Sequence, residues 1–267
     1  MDYEYILFER RGSVAWVTLN RPDVRNAIKP EMREELIRAF GEIAGDVELR
    51  ALVLTGAGDG FCTGADIGGA SKRQGEGGQR LAGAARDMIK GGAQRLFRTL
   101  WELEVPTIAA VNGTAAGFGC HLAFACDLVI ASESAKFNEV FLRRGLVPDG
   151  GGAYLLPRLI GLAKAKEFVF FADSWPAADA ERLGLVNKVV PADQLEAAAA
   201  EWADRLAAGP TRALGLAKRL LNRSLQSDLE TALEEEALAQ ELIMGTNDIK
   251  EGMVAFREKR DPKFTGT

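Results

Sequence analysis

Two glycine-rich turns hold the residues best suited to chemistry in this sequence. The first, Phe61–Asp66, reads FCTGAD, and the second, Asn112–Cys120, reads NGTAAGFGC. Small residues let a ligand approach the backbone, and exposed peptide N–H groups can donate to an anion. One N–H from each turn would form an oxyanion hole, in which losing a donor costs about 10²–10³-fold in rate. The spacing of the two turns along the sequence leaves open whether they meet in space. Alternatively, the first turn is an ordinary tight turn in which Asp66 caps the segment that follows.

The residue inventory excludes several kinds of enzyme. His121 is the only histidine, so a site with several histidine ligands cannot be built, and a Ser/His/Asp triad could use only this imidazole. Neither a G-x-S-x-G nucleophile elbow nor a P-loop occurs. Gly56–Phe61 follows a β-rich run, but Phe61 replaces the third glycine of a dinucleotide-binding fingerprint. Chemistry based on the backbone turns remains.

Composition and charge narrow the partners. The 267 residues carry 33 basic and 38 acidic side chains, a net charge of −5, which argues against a nucleic-acid partner because phosphates need a basic surface. Charges interrupt the N-terminal MDYEYILFER, and no run of 18 apolar residues occurs, so neither a signal peptide nor a membrane span is expected. Cys62, Cys120 and Cys126 form no C-x-x-C pair, which favours reduced thiols in the cytoplasm.

The elements that must position the turns alternate between strands and helices. Glu9–Ser13 is expected to connect the first two strands as a hairpin. Pro30 suits the first turn of a helix, and another helix is expected around Gly119–Ala125. The predicted strands are Tyr3–Phe8, Val14–Leu19, Ala51–Thr55, Thr107–Val111, Leu128–Ala131 and Leu185–Val190.

Helical patterns dominate after a composition shift near residue 192. They cover Asp193–Ala208, Pro210–Leu225, Asp228–Met244 and Asp248–Lys259. We therefore expect an α/β spiral core over residues 1–192, followed by an α-helical region, 193–267, that packs on the core or on a neighbouring subunit. Gly68–Gly92 is rich in glycine and is expected to form either a mobile surface loop or a lid over the active site.

Longer stretches of the chain resemble the enoyl-CoA hydratase/isomerase family, also called the crotonase superfamily. They read FCTGADI, VPTIAAVNGTAAGFGCHLAFACDLVIASESAKF and GLVPDGGGAYLLPRLIGLAKAKE, and the resemblance extends from RPDVRNAI to EGMVAFREKR. The family implies a ββα superhelix core and a helical trimerisation region in a homotrimer or dimer of trimers. It also implies acyl-CoA thioester substrates, with coenzyme A as part of the substrate and no other cofactor.

The resemblance assigns roles within the two turns. It implies a thioester enolate held by two backbone N–H groups, which fall on Thr63 and Phe118. The family usually has small residues at both positions. A backbone donor tolerates the change, but the ring of Phe118 is expected to narrow or reshape the pocket.

Both catalytic glutamates of the family's hydratases are missing. His121 stands where the first is expected after the second turn, and Phe141 stands where the second is expected in an F-G-x-P-E segment. Hydration needs one group to activate water and another to protonate the α-carbon, so syn-hydration in the usual way is not expected. Glu139 is a further candidate, since strand alternation places it on the same face as Phe141.

Asp149, in the run LVPDGGG, is an acid where standard hydratases have a small residue. Dienoyl-CoA isomerases and the ring-opening isomerase of phenylacetate catabolism have an aspartate there, and GLVPDGGGAYLLPR looks most like the latter. One carboxylate can move a proton between two carbons of an enolate, and burial near Phe141 would raise its pKa toward working pH. Alternatively, Asp149 caps a helix after Pro148. His121 is either a structural residue or a catalytic group, for example as partner of Asp149.

Contacts with coenzyme A are also implied by the resemblance. A loop that usually lies along CoA contains Val24, Arg25 and Ala27. Lys259 resembles a C-terminal lysine that reaches a CoA phosphate, often across a subunit boundary. Each of these charges could instead belong to a solvated surface. The remaining substrate-binding candidates are Gly64, Ala65, Asp66, Ile67 and Phe141.

Three functions follow from these residues. The leading hypothesis is an enoyl-CoA double-bond isomerase that uses Asp149 as acid and base. The second is an enoyl-CoA hydratase with a non-standard pair, His121 and Asp149. The third is a non-catalytic acyl-CoA-binding relative that kept the cradle and lost turnover.

Overall fold

The computed structural model describes residues 3–66 and 83–267, in which the strands form two sheets. The six-stranded sheet has, in spatial order, β1 (Ile6–Arg11), β2 (Val14–Leu19), β3 (Ala51–Gly56), β5 (Thr107–Val111), β7 (Leu128–Ser132) and β10 (Lys188–Val190). The four-stranded sheet has β4 (Gly60–Cys62), β6 (Thr114–Ala116), β8 (Lys136–Asn138) and β9 (Ser174–Pro176). Neighbours are parallel except β1 with β2 and β8 with β9.

The two sheets are connected by a repeating ββ unit. A strand of the large sheet leads directly into a short strand of the small sheet in β3–β4, β5–β6 and β7–β8. This arrangement confirms the predicted ββα superhelix. This structural repeat leaves no repeat in the amino-acid sequence, because strand pairing rather than particular side chains defines it.

The helices have the following bounds: α1 (Pro30–Gly45), α2 (Ala84–Gly91), α3 (Ala93–Trp101), α4 (Phe118–Ala125), α5 (Gly152–Phe171), α6 (Ala177–Arg182), α7 (Leu195–Ala207), α8 (Thr211–Ser224), α9 (Leu229–Met244) and α10 (Asn247–Glu258). Helix α1 begins at Pro30 as predicted, and its apolar face is buried. The sequence did not reveal α5, because Pro157 and a break at Gly161 (φ 75°) interrupt its helical pattern.

The strands at both edges of the large sheet differ from their predicted bounds by more than one residue. Strand β1 begins at Ile6 rather than at Tyr3. Strand β1 continues through Glu9–Arg11, which pair with Trp16, Ala15 and Val14, so the connection expected over Glu9–Ser13 is two residues long. Charged side chains are tolerated there because β1 is an edge strand. At the other edge, only Lys188–Val190 of the segment predicted from Leu185 pairs as a strand.

The predicted glycine-rich loop is only partly described. Its residues 68–82 lie outside the described part of the chain. Residues Ala84–Gly91 form helix α2, so the loop prediction is wrong for them. Alanine, arginine, methionine and lysine favour a helix there despite the surrounding glycines.

Both faces of the large sheet are covered. One face packs against α1 and α3. The other contributes Trp16, Val53 and Ile108 to a cluster completed by Leu195 and Ala199 of α7. The first helix after residue 192 is therefore part of the core packing, and the division into two regions at that point stays a prediction.

None of the helices within the described ranges has the length and apolar character that a membrane span requires. Cys62, Cys120 and Cys126 are buried and unpaired. The cytoplasmic location expected from them stays a prediction.

Candidate active site

The two glycine-rich turns meet in space. Gly64 has a φ of +88°, which favours glycine, and an added Cβ would lie 2.8 Å from the Ala116 carbonyl oxygen and 3.2 Å from the Phe118 nitrogen. Strands β4 and β6, which precede the bends of the two turns, pair in parallel. A side chain at Gly64 would therefore separate the two backbones, which explains the need for glycine.

A free N–H group lies at the start of α4. The N–H groups of Cys120 and His121 donate to the Gly117 carbonyl at 2.9 and 3.3 Å. Phe118, the first residue of the helix, has no hydrogen-bond acceptor for its N–H within the described residues. The first N–H groups of a helix have no partner inside the helix, so Phe118 can donate to a ligand.

The N–H of Thr63, the other expected donor, is already occupied. It donates to the Arg25 carbonyl at 3.1 Å. Two residues further, Asp66 N–H donates to the Ile28 carbonyl at 2.9 Å, in the bridge that pairs Ile28 with Ala65. The intervening Ala65 is exposed, and its N–H has no acceptor in the part of the chain that is described. The available donor of the first turn is therefore Ala65, next to Gly64, and not Thr63.

The loop expected to contact CoA runs alongside the first turn. Asn26, which the sequence did not single out, holds this loop against the first turn. Its side chain accepts from Arg21 N–H at 2.8 Å and donates to the carbonyls of Ala57 and Gly60 at 2.9 and 2.8 Å. Arg25 and Asn26 both have positive φ values, 50° and 56°. The preference of asparagine for this conformation is the only sequence signal of the structural role of Asn26. Among the predicted CoA contacts, Val24 and Arg25 are exposed and Ala27 is half-buried.

The other residues predicted to contact CoA differ in their surroundings. Asp66 forms an ion pair with Arg21 at 3.0 Å, and Arg21 also donates to the Ala27 carbonyl. This pair ties the first turn to the loop. Ile67 lies outside the described residues. Lys259 is exposed, with a φ of 55° at the end of α10, and its contact with CoA stays a prediction.

His121 and Glu139 form a fully buried pair. The His121 Nε2 atom lies 3.1 Å from Oε1 and 3.2 Å from Oε2 of Glu139, and the geometry of a hydrogen bond is satisfied with Oε2. Both side chains have no exposed surface. The ring of Phe141 stacks on the imidazole with centroids 5.3 Å apart, and the ring of Phe118 meets it edge-on at 6.3 Å. Glu139 and Phe141 therefore contact the same imidazole.

Asp149 is positioned by three glycines that pack against aromatic rings. An added Cβ would lie 2.3 Å from the Phe118 ring at Gly150, 2.4 Å from the Phe97 ring at Gly151 and 2.0 Å from His121 Nε2 at Gly152. The segment after Asp149 thus rests on Phe97, Phe118 and His121. The N-cap of α5 is Gly151, without a side-chain hydrogen bond, so Asp149 is not the helix cap that the alternative interpretation required.

Burial changes the electrostatics of the Asp149 carboxyl. Its side chain is half-buried, and this burial raises the pKa of the carboxyl above its ordinary value. The neighbouring His121 and a hydrogen bond from backbone N–H act in the opposite direction and lower this pKa. Asp149 makes no ion pair with the described residues.

The assembled groups suit proton transfer on a carbonyl compound. Two free N–H groups, from Ala65 and Phe118, occur on the contacting turns, and Asp149 lies on the segment that packs against Phe118. Such donors stabilise an oxyanion, and a carboxylate with a raised pKa exchanges protons. Within the ranges described, no group of three histidine, cysteine or acidic residues is arranged to hold a metal ion.

Comparisons with known proteins point to one family. The family model for enoyl-CoA hydratase/isomerase matches residues 9–267. A probable enoyl-CoA hydratase of Rhodobacter capsulatus is 39% identical over 266 residues, covering 100% of both chains. The 1,2-epoxyphenylacetyl-CoA isomerase of Escherichia coli K12 is 38% identical, covering 98% of this chain and 99% of that protein. The solved structure of an enoyl-CoA hydratase/isomerase from Cupriavidus metallidurans has a TM-score of 0.92 at 34% identity, over 100% of this chain and 98% of the other.

Proposed function

Because the chain belongs to the enoyl-CoA hydratase/isomerase family, we propose that it is an enoyl-CoA double-bond isomerase with Asp149 as its acid and base. The observation that carries the proposal is the half-buried carboxylate of Asp149, whose pKa is raised, beside the second turn. At the two positions where the family's hydratases have glutamates, this chain has His121 and Phe141, whose rings stack on each other.

The proposed reaction moves one proton. The Asp149 carboxylate removes a proton from the carbon next to the thioester of a 3-enoyl-CoA. The electron pair delocalises into the thioester, and the resulting dienolate oxygen accepts hydrogen bonds from two backbone N–H groups. Asp149 then returns the proton to the carbon at the far end of the dienolate, which gives the 2-enoyl-CoA. No atom is gained or lost, so the reaction needs no cofactor besides the CoA of the substrate.

The oxyanion donors in this proposal are Ala65 and Phe118. Ala65 replaces the expected Thr63 because the Thr63 N–H is bonded to Arg25. Since Gly64 brings the first turn to within contact of the Phe118 nitrogen, one oxygen can be reached from both sides. The thioester then lies between the turns, and the CoA moiety follows the loop of Val24, Arg25 and Ala27.

An enoyl-CoA hydratase is the second candidate. Two observations favour it: the probable hydratase of Rhodobacter capsulatus is 39% identical, and the short-chain-enoyl-CoA hydratase of Clostridium acetobutylicum is 40% identical over 261 residues. In this alternative, His121 and Asp149 form the acid/base pair, one group activating water and the other protonating the α-carbon.

Replacing the carboxylate tests the isomerase. Purified protein is incubated with 3-hexenoyl-CoA and with 2-hexenoyl-CoA, and the products are separated by chromatography. Asp149→Asn keeps the shape but cannot accept the proton, so we expect isomerisation to fall by about 10²–10⁴-fold. Asp193→Asn, at an exposed aspartate, is the matched control and should retain full activity. Full activity in Asp149→Asn would exclude the mechanism.

Solvent labels separate the two reactions. In water enriched in oxygen-18, a hydratase incorporates label into a 3-hydroxyacyl-CoA, whereas an isomerase forms no hydroxylated product. Oxygen-18 in the product would therefore exclude the isomerase and support the hydratase as the function of the protein. Binding of both CoA esters without any conversion would indicate the non-catalytic relative instead.

The subunit arrangement is also proposed. Exposed apolar side chains recur along the last three helices, a pattern that monomeric proteins rarely show. We infer that α8–α10 mediate a homotrimer or a dimer of trimers, in which Lys259 would approach a CoA phosphate of a neighbouring subunit. The residues concerned are Leu221, Leu225, Leu229, Leu242 and Phe256.

A further inference from the structure

We propose that Glu139 is a positioning residue, which acts on Asp149 by fixing the orientation and tautomer of His121. This inference rests on the proposed role of Asp149 as acid and base. It adds a residue that the chemistry of the two turns does not require, and it explains why an acidic side chain is completely buried beside them.

The imidazole of His121 is held on several sides. Phe141 stacks on the imidazole at an interplanar angle of 9°, and Phe118 lies against it at 89°. These apolar contacts restrict the ring plane but do not distinguish between its two flipped orientations. The hydrogen bond between Nε2 and Glu139 does, because it requires that nitrogen on the side of the carboxylate.

The same nitrogen supports the Asp149 segment. A Cβ added to Gly152 would lie 2.0 Å from Nε2 and 2.4 Å from the adjacent ring carbon, so the Gly152 backbone already rests on this edge of the ring. Gly152 N–H donates to the Asp149 carbonyl at 3.4 Å. Loss of the hydrogen bond to Glu139 would allow the imidazole to tilt out of its present plane, and a tilted ring edge would displace Gly152 and with it Asp149.

The tautomer follows from hydrogen-bond roles. Glu139 as a carboxylate can only accept, so Nε2 must carry a hydrogen. Nδ1 is buried and has no partner among the described residues. A hydrogen on Nδ1 would thus be a buried donor without an acceptor, which costs free energy. Glu139 consequently selects the imidazole with its hydrogen on Nε2.

Two substitutions separate the hydrogen bond from shape and charge. Glu139→Gln keeps a carbonyl oxygen as acceptor, so kcat for isomerisation should stay within about threefold of wild type. Glu139→Met keeps the length but has no such acceptor, and kcat should fall by about 10–100-fold, since a misplacement of about 1 Å can cost about 10²-fold. KM should change by less than about twofold, because Glu139 has no exposed surface with which to contact CoA. Glu133→Met, on an exposed turn of the same segment, is the matched control and should leave both constants unchanged.

The kinetic outcomes are decisive in both directions. Wild-type kcat in Glu139→Met would overturn the proposal. Equal losses in Glu139→Gln and Glu139→Met would overturn it as well, since the hydrogen bond would then not be the operative contact. A rise in KM without a fall in kcat would make Glu139 a binding residue instead.

The single histidine provides a test independent of activity and of variant folding. After labelling with ¹⁵N-histidine, all imidazole signals in a two-bond ¹H–¹⁵N spectrum belong to His121. We expect a protonated Nε2 and an unprotonated Nδ1 in the wild-type protein, and the same pattern in Glu139→Gln. A hydrogen on Nδ1 in wild type would overturn the proposal. If Asp149→Asn remains active, the isomerase mechanism fails, yet this spectrum still decides whether Glu139 sets the tautomer.

Discussion

At the scale of residues, two carboxylates near one imidazole have different surroundings. Glu139 has no exposed surface and bonds to His121, whereas Asp149 is half-buried and makes no ion pair within the described ranges. A buried partner fixes Glu139 in place. Partial burial raises the pKa of Asp149, as the proposed proton transfer requires. The proposed division of roles between the two carboxylates follows from their environments rather than from residue type.

The raised pKa predicts how Asp149 affects stability. Because its pKa is higher in the folded protein, the folded state binds the proton more tightly. Its stabilising contribution is therefore present at low pH and is lost as pH rises from the ordinary pKa of 3.8 through the raised pKa. Asp149→Asn, which stays neutral, should be more stable than wild type at pH 7.

Thermal unfolding between pH 4 and 8 measures this effect. The difference in Tm between Asp149→Asn and wild type should increase with pH and then become constant. Asp193→Asn should show no such pH-dependent gain, since Asp193 is exposed. A Tm difference that shrinks as pH rises would contradict the sign of the shift.

At the scale of elements, the start of α5 determines where Asp149 lies. Gly150, Gly151 and Gly152 each allow an aromatic ring to approach the backbone. Gly150 and Gly151 also have positive φ values of 54° and 93°, which disfavour any other residue. Packing of the segment on α3 and α4 therefore depends on the absence of side chains at three consecutive positions.

Gly152→Ala tests this packing without backbone strain. Its methyl group would collide with His121 Nε2, so we expect the free energy of unfolding to fall by about 1–3 kcal/mol. Displacement of Asp149 should also lower kcat by at least about tenfold. Chemical denaturation and steady-state kinetics measure the two effects.

Gly41→Ala is the control for glycine substitution itself. Gly41 lies inside α1 with open space around it, so alanine should raise the free energy of unfolding by about 0.5–1 kcal/mol and leave kcat unchanged. If Gly152→Ala behaved like Gly41→Ala, the close contact with His121 would not control the site.

At the scale of the whole molecule, the last three helices differ from the core. Helix α7 covers one face of the large sheet, whereas α8–α10 bury few of their own residues. Large apolar side chains remain exposed on them, including Leu242 at 66% and Phe256 at 82%. Association of subunits through these helices would remove this surface from water.

Charge substitution tests the association. In Leu242→Glu/Phe256→Glu, a buried carboxylate would oppose assembly, so we expect a shift from trimers or hexamers to monomers. Sedimentation velocity at several concentrations measures the distribution. Val47→Glu is the control, because Val47 is 80% exposed but lies in the turn after α1. A wild-type protein that is monomeric at all concentrations would contradict the proposed interface.

Much of the fold was predictable because its signals are local. The apolar spacing of α1 and the buried strand Thr107–Val111 predicted these elements correctly. Helix α5 was not predictable, since Pro157 and Gly161 interrupt the helical pattern of a segment that tertiary packing stabilises as a helix. The short extension of β1 through charged residues likewise depends on its position at a sheet edge.

The sequence by itself determined the family, the two glycine-rich turns and the presence of an acid at Asp149, because these are properties of short contiguous runs. Only the tertiary structure decided which N–H groups are free and which carboxylate is paired. The Thr63 N–H donates to the carbonyl of Arg25, which is 38 residues away along the chain, and the Glu139 carboxyl bonds to the His121 imidazole across 18 residues. Hydrogen-bond partners of this kind are set by how the chain folds back on itself, so no local pattern encodes them.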